Sequence, residues 1–164
     1  MSTSSKTPSS ETAKTKWGRR FLVVAEIVAA VTAAIGLTVF TGQPRAPHTA
    51  TLHTANKQYN LRVAATAQQQ EKGLGDIASM PENSGMLFWF TDDKPRCFWM
   101  KDMHFPLDII WVDAAHRVTH VQPHISPATY PNAFCPPAPA RYVIELNSGE
   151  AARAGLQRGE TLTF

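Results

Sequence analysis

Four charged residues stand inside sequence that is otherwise apolar and aromatic. Lys101 follows Arg96-Cys-Phe-Trp-Met100, Asp108 lies inside Leu107-Asp-Ile-Ile-Trp-Val112, and Arg141 and Glu145 lie inside Arg141-Tyr-Val-Ile-Glu-Leu146. A chain that turns back at Pro106 brings Lys101 and Asp108 across one bend. A buried Lys–Asp pair is costly unless well hydrogen-bonded, so such a pair in apolar surroundings fits a polar site. With Trp99 and Met100 beside them, these residues form the candidate site for ligand contact or acid–base work. The plainer alternatives are an ion pair pinning a turn, for Lys101 and Asp108, and the solvent face of an edge strand, for Arg141 and Glu145.

Cys97 and Cys135 are the only cysteines. In an oxidising compartment two thiols in one small domain are a candidate disulfide. Two unrelated reduced thiols and metal ligation are the alternatives. His104, His116, His120 and His124, with Met100, Met103 and Cys97, raise copper or zinc. Their spacing matches no standard site, so no metal and no other cofactor is expected. No Gly-x-Ser-x-Gly, phosphate loop or dinucleotide fingerprint is present, and no catalytic residue is assigned.

The elements that position these residues follow an apolar run, Phe21 to Phe40, about as long as a bilayer core requires. Lys14, Lys16, Arg19 and Arg20 precede it and only Arg45 follows within ten residues. That asymmetry predicts a cytoplasmic N-terminus and an extracytoplasmic remainder. Glu26 near the start of the run is within reach of the headgroups. A cleaved signal peptide is the rival, but the run is long and no good small-x-small site follows it. The expected organisation is a disordered basic tail over 1–20, a transmembrane signal-anchor over 21–41, an extended linker over 42–57 and one extracytoplasmic domain over 58–164. The expected location is a plasma (inner) membrane, crossed once. The formal charge of +3 belongs to the tail. The rest of the chain is balanced, which leaves no basic surface for nucleic acid.

Within the domain, Tyr59, Leu61 and Val63 alternate with polar neighbours and predict a strand. Thr66 and Gln69 have capping-box spacing, which predicts a short helix over 67–72 stopped at Gly73. Further strands are predicted at 86–90, 96–100, 107–112, 117–122, 141–146 and 160–164. Asp113 to His116 predicts a hairpin, with His116 left-handed. The proline-rich stretch 123–139 predicts a long irregular loop. Ser148 is expected to cap a second helix over 149–154. Short strands with two short helices predict a mainly-β (α+β) domain, a small barrel or roll rather than βαβ layers.

Three blocks carry a resemblance: Glu71-Lys-Gly-Leu74 with Gly85-Met-Leu-Phe88; Phe98-Trp-Met-Lys101 leading to Pro106-Leu-Asp-Ile109; and Arg141-Tyr-Val-Ile-Glu-Leu146 with Gly149, Ala151-Ala152, Gly155 and Gly159. Together they resemble the domain-of-unknown-function 192 family over about residues 59–164. Gly75, Asp76, Asp102 and Met103 depart from the family pattern. The resemblance implies a compact mainly-β fold and brings no activity.

The leading expectation is a non-enzymatic, membrane-anchored extracytoplasmic module that binds a small ligand or an envelope protein partner. An enzyme using Lys101, Asp108 and Glu145 is the first alternative. A metal-handling envelope protein is the second. Oligomeric state is not legible.

Overall fold

The computed structural model describes residues 46–164. The tail and the apolar run at 21–41 lie outside the described residues. In chain order the elements are β1 (Thr49–His53), β2 (Gln58–Ala64), α1 (Ala67–Lys72), β3 (Ser84–Lys94), β4 (Phe98–Trp99), β5 (Leu107–Val112), β6 (Val118–Ile125), a 3-10 turn (Pro127–Thr129), β7 (Ala133–Phe134), β8 (Ala140–Asn147) and α2 (Glu150–Arg153). Six strands make one sheet in the order β1-β2-β3-β8-β5-β6, and β4 pairs with β7 in a separate ribbon.

The sheet is open, not a closed barrel. β1 and β6 are its edges. The C-terminal segment does not form a strand. It makes single bridges from Thr163 to His53 and from Thr161 to Arg117, and so clips the two edges without closing the ladder. A second difference is the β2–α1–β3 unit, whose strands pair in parallel, Leu61 against Gly85 and Val63 against Leu87. Parallel neighbours need a crossover, and α1 with its following loop supplies it.

α1 starts where its sequence says. Thr66 Oγ1 accepts from the Gln69 amide at 3.2 Å, and Gln69 Oε1 accepts from the Thr66 amide at 3.0 Å. Gly73 (φ 50°) ends it. Gln70 Nε2 donates to the Trp89 carbonyl at 2.8 Å and fastens the helix to β3. At α2, Ser148 is not the cap. Gly149 holds that place in the left-handed region with no side-chain bond, and Ser148 Oγ pairs instead with His124 Nδ1 at 2.8 Å. The hairpin between β5 and β6 turns on Asp113, whose Oδ1 accepts from the Ala115 and Arg117 amides, with His116 at φ 61°.

β1 falls inside the stretch expected as linker. Its residues are small and polar apart from Leu52, which is fully buried in the core. Conversely, the strand expected over 96–100 shrinks to Phe98–Trp99.

Alternation along the strands builds two apolar clusters. One holds Leu61, Val63, Leu87, Ile110, Val112, Ile144 and Leu146 and packs against Ala151, Ala154, Leu156 and Leu162 of the C-terminal segment. The other holds Met86, Phe88, Ile109, Trp111 and Val143 and packs against Leu74, Met100 and Phe134. The continuous apolar runs in β3, β5 and β8 follow from burial on both faces. The candidate site lies on the second of these faces.

Candidate functional site

Glu145 occupies the middle of β8, between β3 and β5. Its register partners are Met86 and Ile109. β8 is thus a central strand, and the expectation that Glu145 faces solvent on an edge strand is corrected. The side chain belongs to the second apolar face and is 5% exposed. Its Oε2 has no hydrogen-bond partner among the described residues. Burial pushes the carboxyl up to about 8, with no other cause. Glu145 is therefore largely protonated at neutral pH.

A cavity of about 860 Å³ lies above this carboxyl. α1 and the turn after it form one side, from Gln70 through Gly75. Phe88 and Phe90 of β3 and the segment Pro95–Trp99 form the others, with Lys101, Asp102 and Met103. Phe88 and Phe98 meet edge to face at 4.8 Å, and Phe98 meets Trp111 likewise at 6.2 Å. Trp99 (55% exposed) stands on the rim and contacts Tyr130 (46% exposed) edge to face.

The segment over the cavity is held at several points. Trp111 Nε1 donates to the Arg96 carbonyl at 2.6 Å. The Arg96 guanidinium lies over the Phe90 ring, 4.0 Å from its centre, and bonds the Asp92 carboxylate and carbonyl. Its Nε is buried without a partner among the described residues. Cys97 and Cys135 are joined by a disulfide, which ties β4 to the proline-rich loop. The Asp76 amide donates to the Asp102 carbonyl at 2.8 Å, so the two loops around the mouth are tied together.

The structure brings Lys101, Trp99 and Glu145 to one cavity. It does not bring Asp108 or Arg141 there. Asp108 is fully buried on the opposite side of the sheet from Glu145, and its oxygens accept from the His124 amide at 2.8 Å and the Ala151 amide at 2.9 Å. Lys101 is exposed, and no salt bridge joins it to Asp108. The expected Lys–Asp pairing is corrected: Asp108 sits where two amides take both its oxygens. Arg141 is paired with Asp93 through two hydrogen bonds. Met100 is a core residue. Sequence reasoning missed Arg96, Phe88 and Phe98 as lining. The apolar spacing of Phe88 and Phe98 looked like core, and Arg96 like the turn it follows.

The histidines are dispersed. His116 stacks on Phe164, His120 lies against Trp111, and His124 bonds Ser148. Among the described residues no group of three His, Cys, Asp or Glu is placed to hold a metal ion.

This is a mixed-sheet domain with an aromatic pocket lined by a buried acid. The chain belongs to the DUF192 family, described as an uncharacterised ACR, whose model matches residues 49–164. Solved structures are similar to it, two of them as follows. One is a Sinorhizobium meliloti 1021 protein proposed to be a transcription regulator, with 27% identity and TM-score 0.64, over 73% of this chain and 97% of that one. The other is a Novosphingobium aromaticivorans DSM 12444 protein of unknown function, also with 27% identity and TM-score 0.64, over 71% of this chain and 84% of that one. No curated protein matches the chain.

Proposed function

We propose that this domain is a ligand-binding module and that the cavity over Glu145 is its binding site. One observation carries the reading: Glu145, set in an apolar sheet face with a buried oxygen that no described residue partners, lines a cavity. Leaving a buried polar group unpaired costs about 1–3 kcal/mol. A fold that needed only stability would place an aliphatic residue there. A ligand that brings the missing partner removes the penalty. Apolar walls with a few convergent polar groups are the usual make-up of small-molecule sites.

We further propose that the module acts outside the cytoplasm, held by the apolar run at 21–41. The charge asymmetry around that run supports this, and so does a disulfide in a small domain. The regulator description of the Sinorhizobium relative does not move the reading, because a phosphate backbone needs a basic surface and Lys/Arg and Asp/Glu are nearly balanced after residue 45. An enzymatic reading keeps one support, the raised Glu145 acid. It loses Asp108, whose oxygens are occupied by amides.

The test is a thermal-shift screen of the full chain against ammonium compounds, carboxylates, sugars and neutral aromatics. A ligand at about 100 times its Kd stabilises by about 2.7 kcal/mol, several degrees for a domain of this size. At least one class raises Tm in the wild type and less in Glu145→Gln. If every class leaves Tm unchanged, the binding reading fails.

A further inference from the structure

The ligand's chemistry is written in what Glu145 lacks. The protein's own cations near the cavity are committed elsewhere or stand at its mouth. Lys72 is paired with Asp76, Arg96 with Asp92, and Lys101 is exposed. The carboxyl is left with Met86, Ile109 and Val143 as its neighbours on the sheet. Phe88 and Phe98 line the same space, and Trp99 stands at the rim. A lone carboxyl beside aromatic rings attracts an organic cation twice, through the acid and through the ring faces. The volume of about 860 Å³ suits a ligand with a sizeable apolar body.

Resting on the binding reading above, we propose that the pocket takes an organic ammonium ion, its N–H donors on the Glu145 carboxyl and its hydrocarbon part against Phe88 and Phe98. Binding the cation ionises Glu145 and releases its proton to solvent. The other charged groups lining the cavity are Glu71, Lys72, Arg96, Lys101 and Asp102. Burial alone raises the Glu145 carboxyl, so the proton released is its own.

The shared chemistry is the ammonium group, which a free amine or a lysine side chain supplies. Calorimetric titration of the full chain with 2-phenylethylammonium, its neutral isostere 2-phenylethanol, and Nα-acetyl-lysine methylamide tests the proposal and separates the two sources. At pH 8 an ammonium probe binds at least tenfold more tightly than the alcohol. Whichever ammonium probe is preferred identifies the source. Its affinity falls about tenfold per pH unit below 8, because only the ionised fraction of Glu145 binds it. Proton release appears as a dependence of the heat on buffer. Glu145→Gln removes the preference for the cation. If that variant folds poorly, the pH series on the unaltered protein decides between cation and neutral ligand by itself. Equal, pH-independent binding of amine and alcohol overturns the cation assignment and leaves the pocket standing. Binding of none of the three probes overturns both.

Discussion

Asp108 Oδ2 accepts a hydrogen bond from the Ala151 amide at 2.9 Å, and so ties the buried strand β5 to the first turn of α2. Its other oxygen accepts from the His124 amide at 2.8 Å, at a residue held at φ 56°. One carboxylate thereby accepts from two backbone amides distant in sequence. Asp108→Ala leaves both N–H groups without this acceptor and is expected to destabilise by about 2–4 kcal/mol. Lys101→Met changes an exposed side chain and is expected to stay within about 0.5 kcal/mol. Denaturant midpoints of the two variants measure both. Equal losses would restore a Lys101–Asp108 interaction.

Gly85 is required by close packing. A Cβ there would meet the Glu145 carbonyl oxygen at 2.6 Å and Leu61 and Leu146 methyls at 2.7 Å. The obstacle includes backbone of the central strand, which moves little. Gly85→Ala is expected to cost about 1–3 kcal/mol and to disturb the strand that carries Glu145. A Tm equal to wild type would contradict this.

Glu145 and Glu150 give stability opposite dependences on pH. Burial raises Glu145 to about 8 in the folded state, so the native protein holds a proton there that the unfolded chain has lost above the ordinary carboxyl range. Its contribution is complete below about pH 4.5 and is lost as pH rises through 8. For Glu150, burial pushes upward, but hydrogen bonds from Lys57, Tyr59 and Arg153 outweigh it and bring the group to about 2. That contribution is present above pH 4.5 and is lost as pH falls toward 2. Glu145→Gln is expected to flatten the fall between pH 5 and 8 and leave the acid limb in place. Chemical denaturation across pH 2–9 reads both limbs.

The Cys97–Cys135 bridge spans 38 residues of sequence. In the chain-entropy model such a link contributes about 3–4 kcal/mol. Reduction is expected to lower Tm by about 10–20 °C. Hydrogen exchange should quicken at β4 and β7 before it quickens at β5 and β8, because only the ribbon depends on the bridge. Uniform loosening would contradict that order.

Much of the sheet was legible because burial on both faces leaves a plain signature. The runs Met86-Leu-Phe-Trp-Phe90 and Leu107-Asp-Ile-Ile-Trp-Val112 are strands. The capping box at Thr66 and the left-handed His116 were readable because they depend on neighbours in sequence. β1 was not, because an edge strand of Thr and Ala gains its place from pairing with β2 rather than from its own pattern. The sheet order, and with it the openness of the sheet, depends on contacts distant in sequence. At the site, Lys101 and Glu145 stand at the cavity while Asp108 and Arg141 stand elsewhere, and the sequence did not carry the partners of any of the four. Asp108 and Glu145 look alike in sequence. One falls where two amides converge on it, and the other falls on the opposite face, where no group among the described residues bonds Oε2.

The central claim is that Glu145 is a desolvated acid kept without a partner at the floor of a cavity. Carbon-13 NMR titration of its side-chain carboxyl in the full chain tests this most directly. The expected midpoint is near pH 8, well above the other glutamates. A midpoint in the ordinary carboxylate range, near 4.5, would mean that water or a protein cation already serves the group, and the pocket would lose its reason to bind anything.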